Sequence, residues 1–382
     1  MNVHVVCEST GQSIANALVV ALTSVASGSG VEAETDQNGL ANLQLPLGVD
    51  NIEMLYVYPE RDFWSRYRKG VKVSLKQKIG LKRLNLADND VMRHCFRCED
   101  LSSGKGVRIG VIDSGIDSSH PDLQIAGGLN TVPGEHDTAY DDNGISHGTH
   151  VAGIIGSRGR QPSGIMGIAP AAEILSYRVC GANQRNSSSY SVAAAIDAAA
   201  NDECDVINIS MSTSSRDSMI EYAIEDAAER GVLTIAAAGN AGVNFVHFPA
   251  CLPSVVGISA MGRKRMFPKT STESLDVTNI LGSDKADFFA RFSNSGSDIT
   301  ATCPGVAVIS TVPGGYASMS GTSMSTPIIS GIVAKLLSVN PTVQIMPRNR
   351  NRAIAIRNLL LSFCRSKGFS VEQEGRGFPQ LP

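Results

Sequence analysis

The spacing of apolar residues divides this chain into two parts. In residues 1–80 apolar residues form short runs separated by turn sequences such as Asp36-Gln37-Asn38-Gly39, and no long segment has a helical period. The pattern predicts short strands at Val3–Cys7, Ala17–Leu22, Ala41–Leu45, Ile52–Tyr58 and Val71–Leu75. We therefore expect a β-rich accessory or regulatory domain over residues 1–85 and a polar linker over 86–104.

From residue 105 the pattern changes to long apolar strands that alternate with helical segments. The strands, Val107–Ile112, Asp205–Ser210 and Val232–Ala238, are nearly unbroken apolar runs, as strands buried on both faces of a parallel sheet require. Helical runs begin at His147 and Met219, and another covers Ile328–Leu337. The alternation predicts an α/β fold over 105–382, a wound parallel sheet with helices on both faces.

Composition and charge exclude several classes of protein. The 382 residues are 42% hydrophobic and 18% charged, which is ordinary for a soluble globular chain. The net charge of −3 gives no electrostatic footprint for nucleic acid. No run of eighteen apolar residues exists, so we expect no membrane partner.

The cysteines and the N-terminus bear on location. Eight cysteines are dispersed through the chain, and the Cys95/Cys98 pair lacks the second pair that a zinc site needs, so no metal site is predicted. Residues 14–26 could pass for the apolar core of a signal peptide, but the preceding residues contain Glu8 and no Lys or Arg. We expect a cytoplasmic protein, with secretion as the alternative.

Three reactive side chains stand at positions suited to catalysis. Asp113 follows the first apolar strand, at the end where α/β proteins place their sites. A dinucleotide-binding Asp is the alternative, but no Gly-x-Gly-x-x-Gly turn follows a strand here. His147 opens a helix of small residues. Ser323 precedes an apolar helix, where backbone N–H groups and the helix dipole favour an oxyanion, although such a serine is often only a cap.

Taken together, these motifs resemble the subtilisin-like serine proteases over about residues 105–340. The matching segments, in the family's order, are Asp113-Ser114-Gly115-Ile116-Asp117, His147–Gly153, Ala238-Gly239-Asn240 and Gly321–Pro327. The resemblance implies a serine endopeptidase: Ser323 attacks the scissile carbonyl, His147 is the general base and Asp113 orients it. It also implies that Asn240 and the Ser323 N–H bind the oxyanion. The implied partner is a protein or peptide substrate, and no cofactor is required.

The resemblance also assigns the segments that bind the substrate peptide, although fewer residues match the family there than at the catalytic motifs. It places Ser210-Met211-Ser212 and Ala237-Ala238-Gly239 beside the substrate, where they wall the specificity pocket. The family's usual Ser-Leu-Gly-Gly is here Ser210-Met211-Ser212-Thr213, which puts the pocket's width in question. His247 falls near the pocket base and could bias the preferred residue; an ordinary loop histidine is the alternative. We interpret Asp141-Asp142-Asn143 as a solvated loop rather than a site for basic residues.

Two departures from the family concern calcium and partners. Arg158 and Arg160 occupy the loop after the His147 helix, where many relatives offer oxygen ligands to calcium, and Asp122 cannot hold the ion alone. We therefore expect this calcium site to be lost. Residues 261–288 are a polar insertion, interpreted as a surface loop with a regulatory or partner role.

The role of the N-terminal part stays open between two interpretations. Its turn sequences, Thr10–Ile14 and Thr35–Gly39, resemble small β-sandwich modules of the carboxypeptidase-regulatory type. We favour a retained domain that controls the protease, and a removable propeptide is the alternative. A pseudoprotease that binds peptides, or a peptide ligase on the same scaffold, are the alternative functions.

Overall fold

The computed structural model describes residues 1–74, 76–87, 91–96, 100–159 and 164–381. Its N-terminal part is a two-sheet β structure, with strand order β4-β1-β7 in one sheet and β3-β2-β5-β6 in the other. The strands are β1 (Asn2–Cys7), β2 (Leu18–Ser24), β3 (Ser29–Glu34), β4 (Leu40–Asn42), β5 (Asn51–Tyr58), β6 (Arg66–Lys72) and β7 (Lys76–Leu81). Inward-facing residues of both sheets share one core, as the alternation of buried and exposed positions along β5 illustrates.

The predicted N-terminal strands match the structure unevenly. β1, β2 and β5 lie within two residues of the predicted bounds, whereas β4 and β6 both end before the predicted ends. Leu75, the predicted end of the last strand, lies outside the described residues. The pattern did not predict β3, which is largely exposed, or β7, which buries only Ile79 and Leu81. Strands with so few inward apolar residues carry a weak signal.

The second part is built on a twisted sheet with strand order β14-β13-β12-β11-β8-β10-β9, and β15 also pairs with β13. All of these pairs are parallel except β13–β14. The strands are β8 (Arg108–Asp113), β9 (Ile125–Asn130), β10 (Glu173–Arg178), β11 (Val206–Ile209), β12 (Leu233–Ala237), β13 (Val255–Arg263), β14 (Asp287–Phe289) and β15 (Ile299–Pro304). A hairpin follows, β16 (Val308–Val312) and β17 (Gly315–Met319), and a small pair near the C-terminus, β18 (Cys364–Arg365) and β19 (Phe378–Pro379).

Helices cover both faces of this sheet. They are α1 (Val91–Cys95), α2 (His147–Gly156), α3 (Ser189–Asn201), α4 (Ser218–Glu229), α5 (Thr322–Ser338), α6 (Pro341–Gln344), α7 (Arg350–Ser362) and α8 (Val371–Glu374), with a 3-10 turn at Thr272–Asp276. Val111 of β8 packs in the core that contains α2 and α5, and Ile112 packs in the core that contains α3 and α4. Successive strand residues thus point to opposite buried faces, which confirms the wound α/β sheet.

The N-terminal part is joined to this core through the loop between β5 and β6. Trp64 is only 2% exposed and belongs to the same hydrophobic core as α2 and α5. Beside it, the Asp62 N–H donates to the Tyr316 carbonyl at 2.7 Å, and Arg61 donates to the Pro313 carbonyl at 3.0 Å. The loop therefore packs on the β16–β17 hairpin, which leads directly into the segment that carries Ser323.

Segment 86–104 contains more than polar chain. Its described residues include α1, and Val91, Met92 and Phe96 are buried in the same core as Trp64. Residues 88–90 and 97–99, among them Cys98, lie outside the described residues. The apolar residues of α1 are too few to give a helical period in sequence, so their burial depends on the surface they pack on.

The interpretation of 261–288 as a surface loop is wrong. The segment begins within β13, and Met261, Phe267 and Phe288 are buried in the core. Asp287 is also buried, and it accepts hydrogen bonds from Arg263 at 2.6 Å and Lys367 at 3.2 Å. The insertion therefore contributes apolar residues and one paired carboxylate to the interior, a pairing between distant residues that composition does not reveal.

Candidate active site

The site lies at the carboxyl ends of three adjacent parallel strands. β8 ends at Asp113, while β11 and β12 run directly into Ser210-Met211-Ser212 and Ala238-Gly239-Asn240. Because β11 pairs with both β8 and β12, these segments meet at one edge of the sheet. This is where an α/β sheet offers backbone and side chains to a ligand.

Asp113 and His147 form a tightly held pair. The His147 Nδ1 lies 2.8 Å from Asp113 Oδ1 and 3.0 Å from Oδ2, and the Asp113 side chain is only 2% exposed. The start of α2 is held against the end of β8, since the Gly148 N–H donates to Ser114 Oγ at 3.0 Å. The pair thus has a rigid geometry, with Nδ1 directed at the carboxylate.

The environment of His147 favours its protonated form. Burial lowers the pKa of His147, but the charge of Asp113 and its hydrogen bond raise that pKa more, so it lies above its ordinary value. A quarter of the His147 side chain is exposed, and it lines the same cleft as Ser323 and Asn240. The ring can therefore accept a proton from a group in this cleft.

Ser323 is the second residue of α5, whereas the sequence pattern placed it just before the helix. Pro327 lies sixth in the helix, beyond the first turn, so it removes the hydrogen bond that the Ser323 carbonyl would accept. That carbonyl accepts instead from Ser210 Oγ at 2.9 Å, and the Ser323 hydroxyl donates to the Ser210 carbonyl at 2.8 Å. Ser210 therefore anchors the turn that carries Ser323.

Asn240 is oriented by the residue that precedes Ser323. Its Oδ1 accepts from the Thr322 N–H at 2.8 Å and from Thr322 Oγ1 at 2.9 Å. A Cβ placed on Gly321 would lie 3.4 Å from Asn240 Nδ2 and 3.6 Å from the Ser323 nitrogen. The missing side chain of Gly321 thus leaves a small space onto which two N–H donors converge, the arrangement that an oxyanion needs.

Asn294 supports this loop and was not predicted from the sequence. It is fully buried; its Nδ2 donates to the Ala238 carbonyl at 3.1 Å and its Oδ1 accepts from the Ala241 N–H at 2.9 Å. Asn294 therefore brackets Asn240 from both sides. It stands in the polar run Ser293–Ser297, where no local signal distinguishes it from a loop asparagine.

The predicted substrate walls are divided between two places. Met211 and Ser212 line a pocket of about 440 Å³ with Phe248 and Pro249. Ser210 lies instead against Ser323, and Ala237 and Ala238 are buried.

His247 lies beside the second predicted wall, next to Gly239. A Cβ on Gly239 would come within 2.7 Å of its Nδ1, and its N–H donates to the Ala238 carbonyl at 2.9 Å.

Two other polar groups near the site, His150 and the segment Asp141–Asn143, have structural roles. His150 is fully buried, its Nε2 lies 3.1 Å from the carbonyls of Val308 and Ala317, and burial lowers its pKa to about 3, so the ring is neutral. The solvated-loop interpretation of Asp141–Asn143 fits the exposed Asp141 but is wrong for Asp142 and Asn143. Asp142 accepts hydrogen bonds from Gly144, Ser146 and Thr149, and the buried Asn143 donates to the Gly181 carbonyl at 2.8 Å.

The loop after α2 carries Arg158, whose guanidinium bonds to nearby oxygens. Arg158 donates to the Pro170 carbonyl at 2.5 Å and to the side chain of Gln124, while Asp122 accepts from the Tyr316 hydroxyl at 2.7 Å. The described residues here do not fit calcium, because a guanidinium lies against the Pro170 and Gln124 oxygens and its charge opposes a cation. Arg160 lies outside the described residues. Across the described ranges, no cluster of three or more His, Cys, Asp or Glu side chains could hold a metal.

Comparisons with known proteins identify the family of the second part of the chain. Residues 104–374 match the subtilase (peptidase S8) family. M-protease of Shouchella clausii is 37% identical over 260 residues, which is 67% of this chain and 61% of that protein. Subtilisin BL of Lederbergia lenta is 37% identical over 258 residues, 66% of this chain and 86% of that protein. The structure of an S41 psychrophilic protease superposes with a TM-score of 0.63 and 28% identity, over 76% of this chain and 97% of the other.

These findings do not support the location expected from the sequence. The relatives do not support a cytoplasmic protein. In the parts of the chain that the structure describes, no helix is long and apolar enough to cross a membrane.

Proposed function

The chain belongs to the subtilase family of serine proteases, and from that membership we propose that it is an endopeptidase with Asp113, His147 and Ser323 as its catalytic triad. The observation that carries the proposal is the Asp113–His147 pair, 2.8 Å apart, at the cleft that Ser323 also lines. Asn240, with its oxygen anchored and its Nδ2 directed toward the space beside Gly321, completes the site.

Acylation of Ser323 proceeds in two proton transfers. Ser323 Oγ turns from the Ser210 carbonyl toward His147, gives up its proton to the imidazole and attacks the scissile carbonyl. Asp113 stabilises the imidazolium that forms. Asn240 Nδ2 and the Ser323 N–H donate to the oxyanion, and His147 then protonates the leaving amine. Water hydrolyses the acyl-enzyme by the same steps.

The N-terminal domain is retained in the working enzyme. This part of the proposal rests on Trp64, which is buried in the catalytic core, and on the hydrogen bonds from Arg61 and Asp62 to the β16–β17 hairpin. Removing the domain would uncover that core and release the hairpin that leads to Ser323. Control of the cleft by this domain, as expected from the sequence, is part of the same proposal.

The enzyme works without calcium in the loop after α2. The guanidinium of Arg158 supports this, because it bonds to the Pro170 carbonyl and to Gln124 and its positive charge opposes a cation. A chelator should therefore leave the thermal unfolding temperature unchanged within about 1 °C, and a larger drop would contradict this part of the proposal.

The test is to label the purified protein with a fluorophosphonate and to measure intact masses. Wild type should be labelled at Ser323 and keep its full length, while Ser323→Ala should not be labelled. Ser325→Ala is the matched control, since Ser325 lies on the same helix and donates only to the carbonyls of Cys303 and Pro304.

Two outcomes would contradict the proposal separately. An unlabelled wild type would argue for a pseudoprotease. If wild type loses a fragment ending near residue 85–105 and Ser323→Ala stays whole, the N-terminal domain is a propeptide.

A further inference from the structure

The cleft beside His147 is walled in part by the N-terminal domain. It has a volume of about 760 Å³, and both Ser323 and Met324 open onto it. Tyr56, Tyr58 and Phe63 contribute its aromatic wall, and the 3-10 turn contributes Glu273 and Asp276.

The position of this cleft identifies the part of a substrate that it can receive. Neither predicted wall of the specificity pocket, 210–212 or 237–239, lines it, and Met211 and Ser212 line a separate pocket. His147, which protonates the leaving amine, does line it. The cleft therefore lies on the side of the peptide that follows the scissile bond.

The aromatic wall is a packed and rigid surface. The rings of Tyr56 and Tyr58 stack with centroids 6.0 Å apart and an interplanar angle of 14°. The loop that follows their strand, β5, is held to the 3-10 turn by Ser65, whose hydroxyl lies 2.6 Å from Thr272 Oγ1 and donates to Glu273 Oε2 at 2.9 Å. Such a surface suits the long aliphatic stem of a lysine or arginine, with little ordering cost on the enzyme's side.

The same wall carries two acidic side chains, Glu273 and Asp276. Glu273 is only 5% exposed and accepts a second hydrogen bond from Ser318, at 3.1 Å. Within the described ranges, neither Glu273 nor Asp276 forms an ion pair, although Arg291 lies near Asp276. Glu60 is already engaged by Arg61 and Asn16, and Arg185 is also on the cleft lining, where its charge acts on His147. A substrate cation bound beside Asp276 would supply the ion-pair partner that Asp276 lacks among the described residues.

We propose that the N-terminal domain and the 3-10 turn form a substrate subsite for a basic residue on the leaving-group side of the scissile bond. This inference rests on the proposed endopeptidase function. The basic side chain lies along Tyr56 and Tyr58 with its charge next to Asp276. The N-terminal domain thus selects substrates rather than only blocking or releasing the site.

Titration of Asp276 makes the preference depend on pH. Burial and the neighbouring charge of Glu273 raise the pKa of Asp276 to about 7, with Arg291 opposing them and Tyr58 facing the pair. Below this pH the carboxyl is neutral and attracts a cation weakly; above it the carboxylate attracts a cation strongly. The ratio of rates for basic and neutral residues should therefore rise between pH 6 and 8. His147 titrates equally for both substrates, so its effect cancels in the ratio.

The experiment compares peptides that differ only in the residues after the scissile bond. Wild type should cleave peptides with Lys or Arg there about tenfold better in kcat/KM than peptides with Glu, because like charges repel across a partly buried site. Asp276→Asn should reduce this ratio to about twofold. Asp50→Asn is the control with the same change of charge, on an exposed residue outside the cleft, and should keep the wild-type ratio.

A second variant tests the aromatic wall. Tyr58→Ala should raise KM about fivefold for the peptides with Lys or Arg after the scissile bond, and change KM less for peptides with Ala there, which lack the aliphatic stem. Fluorophosphonate labelling of each variant reports whether the catalytic centre is intact.

The outcomes separate the two proposals. A wild type that labels and cleaves a p-nitroanilide substrate but shows no preference among the peptides would overturn the subsite while leaving the protease proposal standing, even if Asp276→Asn fails to fold. A wild type that neither labels nor cleaves would overturn the protease proposal itself.

Discussion

Replacing Asn240 with aspartate separates its two roles. The Oδ1 atom accepts two hydrogen bonds from Thr322, at 2.8 and 2.9 Å, and Asn240→Asp keeps an oxygen in that place. The substitution changes only the Nδ2 atom, which has no hydrogen-bond partner among the described residues and is directed at the space beside Gly321. A donor to the oxyanion is thereby exchanged for a negative oxygen.

The size of the effect follows from that exchange. Loss of one oxyanion donor costs about 2.7–4 kcal/mol, or roughly 10²–10³ in kcat. A carboxylate oxygen also repels the oxyanion, so Asn240→Asp should lose at least about 10³ in kcat. KM should change less than about threefold, because the contact forms mainly in the transition state.

The assay is kcat and KM on a p-nitroanilide peptide, together with thermal unfolding. Asn240→Ala should lose kcat and also about 1–2 kcal/mol of unfolding free energy, because it leaves the Thr322 N–H without its acceptor. Asn244→Asp, in the same loop and exposed, is the control and should behave as wild type. If Asn240→Asp retains more than a tenth of the wild-type kcat, or loses activity through KM, Asn240 is not an oxyanion donor.

Three further predictions test the site and the junction between the two parts of the chain. Gly321→Ala should lower kcat about 10²-fold or more, because its methyl group would lie 3.4 Å from Asn240 Nδ2 and occupy the oxyanion space. Steady-state kinetics would contradict this prediction if kcat stayed within about threefold of wild type. The value of kcat/KM should fall at acid pH with a midpoint above the ordinary histidine pKa of about 6.5, because Asp113 raises the pKa of His147 and the general base must be neutral. A midpoint at or below that pKa would refute the pairing. Trp64→Ala should cost about 3–5 kcal/mol of unfolding free energy in a urea titration monitored at both parts, and a loss under about 1 kcal/mol would show that the loop is not part of the core.

Local pattern in the sequence was sufficient for the elements that carry the chemistry. The strand that ends at Asp113, the helix that begins at His147 and the helix that carries Ser323 are each marked by an apolar run with a polar residue at its end. This works because burial on both faces of a sheet forces a continuous apolar run, and a helix start requires particular small or polar residues. The order of these motifs was enough to indicate the family.

Only the tertiary structure decided which distant residues support that chemistry. Pro327 frees the Ser323 carbonyl, but that its partner is Ser210, 113 residues away, depends on β11 lying beside the start of α5. Likewise, Trp64 and Glu273 look like loop residues in sequence, and both are buried where the two parts of the chain meet. Such contacts arise from strand order and packing, and the free energy that favours them belongs to neither segment alone. Sequence pattern therefore determined the reactive residues, whereas the fold determined what holds them and what lies beside the cleft.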